Sequence, residues 1–174
     1  QMTSAYDKIY LEKAQIVLGR MTDYAVYDLE YAIDEIFDLF IKTGYAKRFE
    51  NGDYQVLVGM SGVELARHVV EEATGQTEFC KPKYTMNRSE EYWMGWALAY
   101  YQWYTARPFM KIYKVVTIED LLKMYSVYHE MDIMKFVEAI NEKWDQYYTE
   151  TNLKRLRKIA GLSQRELADL SGVA

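Results

Sequence analysis

Three observations predict an all-α fold. Only 2 prolines and 9 glycines punctuate 174 residues, too few turn formers for a fold of many short strands. Half the residues are hydrophobic and 16% are aromatic, enough for one good core. The apolar positions recur at helical spacing between residues that cap helices. The chain divides into a helical unit of about six helices over residues 1–148 and a short segment of two helices over residues 150–174.

A first helix is expected from residue 5 to about 20, with Tyr6, Ile9, Tyr10, the stem of Lys13, Val17 and Met21 on one side. The run TDYAVYDLEYAIDEIFDLFIKTG reads as a second helix, capped by Thr22 or Asp23 and ended by Gly44. Its acidic residues Asp28, Glu30, Asp34, Glu35 and Asp38 are expected to face water. A short helical piece follows and turns at Asn51-Gly52. YQVLVG, residues 54–59, is the best strand candidate or an extended connection. Ser61 and Glu64 form a capping box before a helix that Gly75 stops. Residues 76–88, with Pro82, read as loop. Ser89 caps the next helix, whose leading Glu90 and Glu91 suit a helix N-terminus. Pro108 lies beyond its end. Thr117 with Asp120 resembles another cap, and a last helix of the unit is expected from Asp132 to Tyr147.

The helix after Ser89 is the densest aromatic stretch. Trp93, Trp96, Ala97, Tyr100 and Tyr104 form one stripe, with Tyr92, Tyr101 and Trp103 off it. A helix apolar nearly all round belongs in the core. The competing roles are a partner interface and a base-stacking platform, and the latter would need interleaved cations, absent before Arg107.

The net charge of −5 is unlike that of a nucleic-acid binder, but it is unevenly spread. Residues 150–174 hold Lys154, Arg155, Arg157, Lys158 and Arg165 against Glu150, Glu166 and Asp169, a net of +2 that leaves −7 on the rest. The first residues lack the basic start and apolar run of a signal peptide. No apolar run reaches the ~18–20 residues of a membrane span. A single cysteine, Cys80, suits a reducing compartment. A cytoplasmic location is the expectation.

Nothing argues for catalysis. His68 and His129 lack metal-ligand spacing, and Cys80 has no neighbouring base. No phosphate-binding glycine fingerprint occurs, so no cofactor is expected. Ser61 to Ala66 and Ser163 to Ala168 share the pattern S-x-x-E-L-A, read as two independent capping boxes.

The C-terminal segment is more specific. Leu153, Leu156 and Ile159 lie on one face of a helix from about Asn152 to Ala160, with cations on the others. Gly161 ends it, and Ser163 to Glu166 caps a second helix. Ser171-Gly172-Val173 supplies a turn in which Gly172 can take positive φ. The pattern N-L-K-x-L-R-x-x-x-G-L-S-Q-x-E-L-A-x-x-S-G-V resembles the start of the Xre family (lambda-repressor-like) helix-turn-helix over about 24 residues. The resemblance implies a DNA-binding regulator of bacterial or phage type. It places Gln164 against a phosphate, with Arg155, Arg157 and Arg165 as further backbone contacts. The family reads bases through helix three, which would begin around Ala174. The acidic unit would then sense, dimerise or hold a protein partner, as in antitoxins of this family. The alternative is a protein-interaction module, an antitoxin or phage inhibitor, in which that unit is the active part.

Overall fold

The computed structural model describes residues 3–83, 85–161 and 164–172. Every regular element among them is helical, so the all-α expectation holds. A 3-10 turn at Lys8–Tyr10 leads into α1 (Leu11–Tyr27). The chain continues through α2 (Ile33–Lys42), α3 (Tyr45–Glu50), α4 (Tyr54–Leu57) and α5 (Gly62–Thr74). After an irregular segment come α6 (Glu90–Thr105), α7 (Phe109–Val115), α8 (Ile118–Lys123), α9 (Tyr125–Tyr128), α10 (Ile133–Ala160) and α11 (Gln164–Ser171). No helix among the described residues is long and apolar enough to cross a membrane.

The centre of the body is α1, which packs chiefly on α6 and α5. Leu11, Ala14, Val17, Leu18, Met21, Tyr24 and Ala25 of α1 are all core. Glycines allow the approach. A Cβ on Gly95 of α6 would stand 2.6 Å from the Leu18 carbonyl oxygen and 2.7 Å from Thr22 Oγ1. A Cβ on Gly62, the first residue of α5, would stand 2.5 Å from the Val17 carbonyl oxygen. The two carbonyl contacts are with α1 backbone, which cannot yield as a flexible side chain does. The Thr22 hydroxyl donates across the α1–α6 contact to the Glu91 carbonyl at 2.7 Å.

This crossing corrects the expected boundary at Thr22 and Asp23. They look like cap residues, yet both are buried in mid-helix. Asp23 is held by Arg20 at 2.6 Å and by the Ser89 hydroxyl. The break falls at residues 28–32 instead, where Glu30 takes φ +62° without a glycine. The first stripe also shifts. Ile9 is 77% exposed and Lys13 is exposed, whereas Ala14, Val17, Leu18 and Met21 are core.

Three further expectations change. Residues 54–57 form α4 rather than a strand, because the neighbours Val56 and Leu57 both enter the core. Two adjacent residues on one side require a helical turn. The Asp53 carboxylate starts it by accepting from the Gln55 N–H. Residues 109–115, left unassigned by the sequence, form α7, with Pro108 as its N-cap. The two helices expected over 132–147 and 152–160 are one, α10, because residues 148–152 contain no helix breaker. The Thr151 hydroxyl bonds back to the Tyr147 carbonyl within it. Where about six helices were expected before residue 150, the body is cut into more and shorter pieces.

Local signals held elsewhere. Ser61, Ser89 and Thr117 accept from the backbones of α5, α6 and α8, and Asp132, expected only as the start of a helix, caps α10. Glu64 accepts from the Ser61 hydroxyl rather than from its N–H, so only half of the reciprocal capping box forms. Gly44 and Gly75 take the left-handed conformation at the ends of α2 and α5.

Gly95→Ala should cost about 3 kcal/mol of stability through overpacking against backbone. Gly75→Ala, strained in φ but facing open space, should cost only about 1 kcal/mol. Urea unfolding of both variants checks the difference, and equal losses would contradict the close crossing.

Candidate functional site

The aromatic helix is mostly core, but its burial differs from the expected stripe. Tyr101, off that stripe, is 0% exposed, and Tyr92 and Trp103 are buried too. Trp96, Tyr100 and Tyr104, on the stripe, stay partly exposed. The approach of Gly95 to α1 sets this rotation, since it turns the Tyr92–Gly95–Ala99 side inward. What remains outside is an aromatic ridge at i, i+4 and i+8, with Tyr100 and Tyr104 stacked at 6.1 Å between ring centroids.

The far end of α6 grips α10. Phe136, Val137 and Ile140 of α10 are core. The Tyr101 hydroxyl donates to Asn141 Oδ1 at 2.8 Å. Arg107 donates to the Tyr101 oxygen at 2.6 Å and to Asn141 Oδ1 at 2.9 Å. Its guanidinium also lies 4.0 Å from the Trp144 ring centroid. Burial pushes the Tyr101 hydroxyl above the ordinary tyrosine range, and Arg107 pulls it partly back. A charged donor to this buried hydroxyl is worth more than a surface pair.

Beyond Trp144 α10 leaves the core and carries the predicted site. At 100° per residue, Lys154, Arg155, Arg157 and Lys158 occupy one half of its circumference and Leu153, Leu156 and Ile159 the other. Arg155 is exposed and Arg157 half-buried. Leu156 and Ile159 are 49% and 76% exposed, so the apolar half is uncovered as well. Gly161 ends α10 in the left-handed conformation with φ +67°, and Gly172 after α11 has φ +74°. α11 packs on α10, with Leu170 74% exposed. Gln164 and Arg165 stand in the first turn of α11, but their side chains lie outside the described residues. So do Leu162, Ser163 and Val173, and with them the expected cap and turn contacts.

The other candidate residues are spread over the body. His68 is exposed on α5 and stacks on Tyr45. His129 stacks on Tyr125 at 4.1 Å. Cys80 is exposed. Its carbonyl accepts from the Tyr24 hydroxyl at 2.7 Å and from Arg67 at 3.0 Å, which ties the loop after α5 to the body. Ser61 to Ala66 starts α5, whose Leu65 and Ala66 are core. Among the described residues no group of three or more His, Cys, Asp and Glu is placed to hold a metal ion.

Sequence reasoning missed the Arg107–Tyr101–Asn141–Trp144 grip, because its members are scattered and polar residues in helices carry no pairing signal. No known family profile, curated protein or solved structure matches the chain.

Arg107→Ala should destabilise the fold by about 2 kcal/mol, since it leaves a buried acceptor without its charged donor. A shift of the urea midpoint measures this, and an unchanged midpoint would show that α10 is held by its apolar residues alone.

Proposed function

We propose that the chain is the body and leading half of the DNA-binding domain of a transcriptional regulator of the Xre (lambda-repressor-like) kind. The observation that supports this best is the end of α10 with α11. The residues resembling the family's first helix form the last part of α10 and those resembling its second form α11, with a left-handed glycine after each. An uncovered apolar face of this kind suits a helical domain whose further helices would cover it.

In this reading the cations of α10 act by charge. Arg155 and Arg157 neutralise phosphates and release counterions. Gln164 and Arg165 add contacts at the start of α11, and a third helix reads the bases. The acidic body stays away from the phosphates, and its continuity with α10 fixes where the motif stands relative to it. A homodimer would set the spacing of two half-sites.

A second reading has one observation in its favour. The ridge of Trp96, Tyr100 and Tyr104 is partly exposed on an acidic body, chemistry that suits a basic protein partner. The body would then be the neutralising half of an antitoxin or an inhibitor.

The test is a salt series of mobility shifts, using the protein expressed from its whole gene and the DNA upstream of that gene. Arg155→Ala and Arg157→Ala should each weaken binding to all sequences alike and lower the salt slope by about one. Unchanged affinity and slope in both variants would sink the phosphate assignment. Loss of partner capture with Trp96→Ala and no DNA shift at all would favour the second reading.

A further inference from the structure

Two adjoining hollows lie at the start of α6, of about 280 and 260 Å³, and Arg88 and Tyr92 line both. The first is cationic. Arg20, Lys83 and Arg88 face it against a single carboxylate, Asp23, and Asp23 is already held by Arg20 and Ser89. Among the described residues neither Lys83 nor Arg88 has an ion-pair partner. The second is aromatic, lined by Trp93, Trp96, Tyr125 and His129. Trp93 meets Tyr125 edge to face at 5.8 Å. The Arg88 guanidinium lies 4.6 Å from the Tyr92 ring centroid, so the two hollows meet at a cation seated on a ring.

We infer that this two-lobed cleft binds a small molecule made of a flat ring and an anionic group. The anion sits between Lys83 and Arg88, and the ring lies against Trp96 and Tyr125. Each requirement has a separate source. Surplus positive charge recognises the anion, and half-exposed aromatic faces recognise the ring. Either hollow alone is smaller than a usual ligand pocket, whereas the pair falls in the range of one. The first-turn N–H of Tyr92 is already taken by the Ser89 hydroxyl at 3.0 Å, so the anion is held by side chains. Nothing here depends on how residues 150–174 act, and no DNA enters the test.

The test is calorimetric titration of the 174-residue chain at low salt with two probes, adenosine monophosphate and 4-hydroxybenzoate. They carry a phosphate and a carboxylate on a ring. Saturable one-to-one binding of either, with a dissociation constant below about 1 mM, supports the site and identifies the anion. Adenosine and inorganic phosphate should each bind at least about tenfold more weakly. Arg88→Ala should weaken the bound probe by about tenfold or more. Arg88 is exposed, so its loss spares the core, and Lys83→Ala, in the loop, provides a second variant of the same kind. Binding of neither probe overturns the inference. So does binding that both variants leave unchanged, or inorganic phosphate binding as tightly as the ring-bearing probes.

Discussion

Gly95 lies so close to α1 that one added carbon would overlap the Leu18 carbonyl. Gly62 makes the same kind of approach from α5. With two neighbours drawn onto its backbone, α1 keeps only a narrow strip for water, along Glu12, Lys13 and Ile16, and its buried Thr22 and Asp23 must find partners inside. They do so on α6, through the Glu91 carbonyl and the Ser89 hydroxyl. The rotation of α6 follows from that contact. It buries Tyr92 and Tyr101, leaves Trp96, Tyr100 and Tyr104 at the surface, and brings Arg20 of α1 beside Arg88. The cleft and the aromatic ridge are therefore consequences of one close crossing.

The same helix carries the constraint to the other end of the chain. Tyr101 reaches Asn141, and Arg107 binds both and covers Trp144. This fixes the first half of α10 on the body. Its second half continues without a break to Gly161. A helix of 28 residues is about 42 Å long at 1.5 Å per residue. The exposed cations near its end thus have a position set by contacts close to its start, which is how an acidic body and a basic motif can share one chain while remaining apart.

The legible parts of the fold were those decided locally. Ser61, Ser89 and Thr117 cap the helices they precede, because a short oxygen acceptor meets a free N–H within three residues. Gly44 and Gly75 stop helices because other residues resist positive φ. Thr22 and Asp23 misled because the same side chains serve equally well inside a helix once another helix supplies partners. The break at Glu30 carries no glycine or proline to mark it, and Val56 with Leu57 looks strand-like until the core claims both. Continuity through residues 148–152 was obscured by polar residues that disfavour burial without breaking a helix. In the cleft, Arg20 and Arg88 are far apart in sequence, and only the α1–α6 crossing joins them. The cations of α10 were legible as a group, since one helix holds them all.

The claim on which the rest turns is that α10 is one rigid piece joining the body to its basic end. Spin labels on the native Cys80 and on Lys158→Cys would measure the distance between the tethered loop of the body and that end by pulsed electron–electron double resonance. A single narrow distance distribution is expected, and Arg107→Ala should broaden it. A broad or two-peaked distribution in the otherwise unaltered chain would mean a hinge near residues 148–152 and would contradict the account.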